Sequence, residues 1–103
     1  MSYSLQGSKG ALLPARRSRI LNAVPHYAYI ARCADGSLYV GTCVNLAARE
    51  TMHNAGKASK YTRSRLPVAF VYHEEHPTLS AVRKREAAMK KLSRDEKLAL
   101  IGG

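Results

Sequence analysis

Tyr27 to Cys43 reads YAYIARCADGSLYVGTC, two runs of aromatic and apolar residues interrupted by Ala34-Asp35-Gly36. Such a pattern predicts a β-hairpin. The loop length fixes which residues become neighbours, because side chains alternate faces along a strand. A two-residue Asp35-Gly36 turn would pair Ala31 with Val40 and send Tyr29 and Tyr39 to opposite faces. A three-residue Ala34-Asp35-Gly36 loop, with Gly36 in the left-handed bulge position, pairs Ala31 with Tyr39 and Tyr29 with Gly41. The longer loop is preferred, because it leaves Ala28, Ile30, Leu38 and Val40 as one apolar face. Both phenols then become diagonal neighbours on the other face.

Outward from the hairpin, Asn45 is a plausible N-cap for a helix that runs to about Asn54 and leaves through Gly56. On that helix Leu46, Arg49 and His53 fall on one side. Leu66 to His73 reads as a third strand that alternates Val68, Phe70 and Tyr72 against Ala69, Val71 and His73, with Pro67 near its start. A helix capped by Thr78 or Ser80 follows, to about Leu92. Ser93 and Glu96 then form a capping box for a last helix ending at Gly102. On the longer helix Leu79, Val82, Glu86 and Met89 share a row, so a carboxylate stands where an apolar residue belongs. It either sits at the stripe margin beside a cation such as Lys90 or has a functional task.

The chain has 103 residues, which bounds it to a single domain, and its formal charge of +10 with 46% hydrophobic residues describes a basic, core-forming protein. Residues 1–24 carry Lys9, Arg16, Arg17 and Arg19 without an acid and read as a flexible basic arm, with the folded domain over 25–103. A transit peptide, a nucleic-acid tail and a misassigned start are the readings of that arm, the last two preferred. No apolar run approaches the ~20 residues of a membrane span, and no signal core follows the amino terminus. Cys33 and Cys43 are expected to be thiols, which suits a reducing, cytoplasmic setting.

The cationic surplus favours a polyanionic partner. It is sharpest in Gly56 to Arg65, GKASKYTRSR, which reads as a loop. Lys57, Lys60, Arg63 and Arg65 can neutralise phosphates there, and Tyr61 can stack on an exposed base. The competing reading is a solvated surface loop. Internal repeats, a Gly-rich phosphate loop, a His/Cys ligand cluster and a Ser nucleophile elbow are all missing from the sequence.

Tyr27-Ala28-Tyr29, Tyr39-Val40-Gly41, Arg49, His53 and Glu86, in that order, resemble the GIY-YIG endonucleases. The stretches CADGSLYVG, Gly56 to Arg63 and REAAMKKLSRDEKLALI are most similar to the small stand-alone bacterial subfamily. The resemblance implies an α/β (α+β) sandwich, a three-stranded antiparallel sheet flanked by helices, and the element order above agrees with it. It also implies an endonuclease that hydrolyses phosphodiester bonds of nucleic acid, with DNA the expected substrate. Tyr29 and Tyr39 correspond to the motif tyrosines, Arg49 to the helix arginine, His53 to its neighbour one turn on, and Glu86 to the ligand of a single Mg2+ or Mn2+ ion.

Each role has a chemical reason. One carboxylate suffices for magnesium, which keeps waters and takes substrate oxygens. Arg49 offers a planar fork to the phosphate. Either tyrosine can serve as base if a metal ion and Arg49 lower its pKa, and His53 can relay a proton. Specificity is expected to come from nucleic-acid shape or from a protein partner, since nothing in the chain reads as a separate DNA-reading domain. The first motif lacks its Gly and Ile, Thr42 stands where some members have Lys, and no Asn follows Glu86 at the spacing of some relatives. The alternative is a non-catalytic nucleic-acid-binding module on the same fold.

Overall fold

The computed structural model describes residues 24–102, so the basic arm lies, but for Val24, outside the described residues. Three strands, β1 (His26–Arg32), β2 (Leu38–Cys43) and β3 (Ala69–His76), form one antiparallel sheet in the order β2-β1-β3. Four helices accompany it: α1 (Leu46–Asn54), α2 (Lys60–Arg63), α3 (Leu79–Lys90) and α4 (Arg94–Gly102). The hairpin has the three-residue loop. Ala31 pairs with Tyr39 and Tyr29 with Gly41, and Gly36 takes φ +85°, a conformation costly for any residue with a Cβ.

The hairpin register divides the core in two. Ala28, Ile30 and Val40 meet Val82 and Met89 of α3, with Leu38, Leu92, Leu100 and Ile101 at the margin. On the other face Tyr29, Ala31, Cys33 and Val68 pack with Tyr39, Leu46, Leu66 and Phe70. Leu79 leaves the expected row and is exposed. Arg85, which interrupts the apolar stripe of α3, turns instead to Glu74 on β3, donating from Nε and Nη2 to its two carboxylate oxygens at 2.8 Å each. The Asn45 cap and the Ser93/Glu96 capping box form as expected, and both cysteines are free thiols.

Two expectations need correction. The third strand begins at Ala69, not Leu66, because Asn54 captures the backbone of Val68 first. Its side-chain amide donates to the Val68 carbonyl at 3.0 Å, and its carbonyl accepts the Val68 N–H at 2.7 Å. The strict alternation of Phe70 and Tyr72 also fails. A register shift between Ile30 and Ala31 pairs them with Tyr72 and Phe70 respectively and skips Val71, so Phe70 joins the Tyr29 face and Tyr72 the α3 face. Glu50 of α1 accepts the Phe70 N–H at 2.8 Å, satisfying an edge donor that the ladder does not reach.

Glu74 also accepts from the Tyr72 hydroxyl and lies 3.1 Å from His76 Nε2. Hydrogen bonds from Arg85, opposed by burial, bring its carboxyl down to about 2 from an ordinary 4.5. A depressed carboxylate stabilises the fold above its unfolded pKa and loses that contribution as pH falls from 4.5 through 2. From pH 6 to pH 3 this group should therefore cost the native state about 1–2 kcal/mol, an increment that Glu74→Gln removes. Urea unfolding of the two chains at both pH values measures it.

Candidate active site

The tyrosine face of the sheet, α1, the segment that follows it and α3 enclose one open concavity of about 210 Å³, lined by Tyr29, Tyr39, Gly41, Thr42, Arg49, His53, Ala58 and Glu86. All five residues expected in the catalytic and metal roles thus border one space. Their positions follow from local rules. The hairpin register places the two phenols on one face, with ring centroids 6.5 Å apart. The i, i+4 spacing on α1 brings Arg49 and His53 to one side. Glu86 comes from the helix that covers the opposite sheet face and lines the concavity along with Gly41 and Thr42 of edge strand β2.

Tyr29 is only 2% exposed, and its ring stacks on Phe70 with centroids 4.1 Å apart and planes 15° from parallel. Its hydroxyl lies 2.8 Å from His53 Nε2. The other imidazole nitrogen, Nδ1, lies 2.8 Å from the hydroxyl of Thr62, and that hydroxyl donates to the Ser59 carbonyl at 3.3 Å. His53 and Thr62 are both fully buried.

Arg49 does act to lower the Tyr29 pKa, but burial, reinforced by Tyr39, outweighs it and pushes the phenol above its ordinary value. Burial followed by the Arg49 charge moves His53 the other way, below its ordinary 6.5, and so favours the neutral imidazole. Tyr29 is therefore a phenol whose oxygen adjoins a neutral base.

Glu86 pairs with Lys90 through Oε2 at 3.4 Å, as expected of an acid at the stripe margin, and it also lines the concavity. Among the described residues no three His, Cys, Asp or Glu side chains gather as a metal cage. A single carboxylate at an open concavity suits a hard cation that completes its shell with water and substrate oxygens.

The basic segment departs from a plain loop. Ser59 accepts the Tyr61 N–H and caps the short helix α2, which Thr62 anchors from inside. Tyr61 is 40% exposed and its ring lies near parallel to that of Tyr39, at 24° and 5.9 Å. The Arg65 guanidinium sits 4.0 Å from the same ring centroid and also bonds Asp35 and the Tyr61 carbonyl. Tyr61 and Arg65 thus brace α2 against the hairpin, while Lys57, Lys60 and Arg63 are exposed.

Sequence reasoning missed the work of Gly41 and Thr62. A Cβ at Gly41 would lie 2.5 Å from the Tyr29 hydroxyl oxygen and 2.7 Å from Cζ. Phe70 and His53 hold the Tyr29 ring, so it has little freedom to yield. Gly41→Ala is expected to cost about 1–3 kcal/mol of stability and to break the Tyr29–His53 bond; thermal unfolding and hydroxyl-proton NMR measure the two effects.

An α+β domain with two tyrosines on a hairpin, an arginine and histidine on the next helix, and a glutamate on a third defines a recognisable class. The GIY-YIG catalytic domain model matches residues 25–99, and the chain belongs to that family. It is 51% identical over 75 residues to a UPF0213 protein of Streptococcus sanguinis, across 73% of this chain and 86% of the relative. With a UPF0213 protein of Syntrophus aciditrophicus it shares 52% identity over 77 residues, covering 74% and 88% of the two chains. The solution NMR structure of a UPF0213 protein from Bacillus halodurans superimposes with a TM-score of 0.50 at 37% identity, covering 76% of this chain and 83% of that one. No helix among the described residues is long and apolar enough to cross a membrane.

Proposed function

We propose that this protein is a metal-dependent endonuclease that hydrolyses phosphodiester bonds of DNA. The observation that carries the reading is the convergence of Tyr29, Tyr39, Arg49, His53 and Glu86 on one concavity. Arg49 holds a non-bridging phosphate oxygen and stabilises charge as it builds there. Tyr29 accepts a proton from the attacking water while its own passes to His53 Nε2, 2.8 Å away. The coupled transfer avoids a free phenolate, which the raised Tyr29 pKa disfavours. Tyr39, beside Tyr29 at the opening, orients the water. Glu86 would hold the single Mg2+ or Mn2+ ion, which when bound supplies charge neutralisation at the phosphate and leaving oxygen. Exposed Lys57, Lys60 and Arg63 hold the flanking backbone.

The burial of Tyr29 favours a second reading, a module that binds nucleic acid without turnover. Nicking of supercoiled, branched and single-stranded DNA, with magnesium and with a chelator, distinguishes the two. Metal-dependent cleavage supports the endonuclease. Salt-dependent binding with no cleavage under any divalent ion supports the module, and no salt-dependent binding contradicts both.

A further inference from the structure

We infer that Thr62 is a positioning residue that fixes the tautomer of His53. A hydroxyl has one proton to donate, and we place that of Thr62 on the Ser59 carbonyl, 3.3 Å away within its own turn, rather than on His53 Nδ1. Toward His53, 2.8 Å away, its oxygen is then an acceptor, so the imidazole carries its proton on Nδ1. That leaves the Nε2 lone pair to receive the Tyr29 hydroxyl proton at 2.8 Å. The order of donation is thus set along the whole chain, from Tyr29 to His53 to Thr62 to the Ser59 backbone.

The opposite arrangement would have Nε2–H donate to Tyr29 and leave the phenol no base for its proton. Thr62 accordingly determines whether Tyr29 can act as a base by relay. Its burial has a reason here: at 0% exposure water has no access to substitute for the hydroxyl. The short helix α2 carries that group, with Ser59 as both cap and terminal acceptor. The relay's catalytic meaning rests on the proposed endonuclease reading, but the tautomer itself does not.

The test is 15N NMR of the imidazole ring in the full chain at neutral pH. The wild-type protein should show His53 with a protonated, pyrrole-type Nδ1 and a bare, pyridine-type Nε2. Thr62→Val, close in shape but without the oxygen, should move the population toward Nε2–H, and Thr62→Ser should restore the wild-type spectrum. Nicking by Thr62→Val should fall at least about tenfold with substrate binding unchanged, and recover in Thr62→Ser. A wild-type Nε2–H signal would overturn the inference without any variant having to fold. So would a folded Thr62→Val protein that keeps Nδ1–H. A chain that cleaves nothing would defeat the endonuclease reading alone, since the ring spectrum still decides the role of Thr62.

Discussion

Tyr29→Phe is expected to lower single-turnover cleavage by about 10²–10⁴-fold, the usual span for loss of a general base, with little effect on fold or DNA affinity. The ring would keep its stack on Phe70, 4.1 Å away, and its place in the core, losing only the oxygen. One buried hydrogen bond to His53 disappears, and the unpaired Nε2 costs about 1 kcal/mol or somewhat more. The large kinetic effect beside a small thermodynamic one is diagnostic, because a merely structural tyrosine would show only the second. Raising the pH should not rescue the variant, since no other group at that position has a proton to hand to Nε2. Quenched-time nicking assays beside equilibrium binding measure both halves.

The second large effect is expected at Glu86. Replacing it by Ala removes the only acidic side chain among the described residues that line the concavity. Cleavage should fall by at least about 10³-fold, as expected when several kcal/mol of charge stabilisation is lost, and the residual rate should no longer depend on magnesium. Stability should change by only about 0.5 kcal/mol, because the ion pair with Lys90 is an i, i+4 contact whose lysine is exposed to solvent. DNA binding in the absence of metal should persist or tighten, because a negative charge leaves a concavity that Arg49 also lines. Filter binding with and without chelator, run beside the nicking assay, separates this outcome from simple unfolding.

How far these side chains were legible in the sequence differs from one to the next. The shared face of Tyr29 and Tyr39 was readable because loop length and strand alternation determine it, given Gly36 at the left-handed position. Arg49 and His53 follow from a capped helix and its spacing, and Glu86 declares itself as an acid in an apolar row. The start of the third strand was not readable, because a side chain from another element, Asn54, satisfies Val68. The α2 turn was hidden for the same reason: its anchor is the contact between Thr62 and His53, nine positions apart. The Ser59 cap before Lys60 was the local sign available. The direction of the Tyr29 shift depends on burial beneath Phe70, and the register irregularity that brings Phe70 to that face leaves no pattern in a single chain.

The central claim is that one concavity receives both the cation and the phosphate. It is tested most directly by titrating Mn2+ into 15N-labelled full-length protein with a short DNA duplex and following paramagnetic broadening. Even weak occupancy should first broaden amides around Glu86, Gly41 and Thr42, and Glu86→Ala should abolish that pattern. Broadening centred elsewhere, such as on Glu74 or on Asp95 and Glu96, or an identical pattern in Glu86→Ala, would contradict the account.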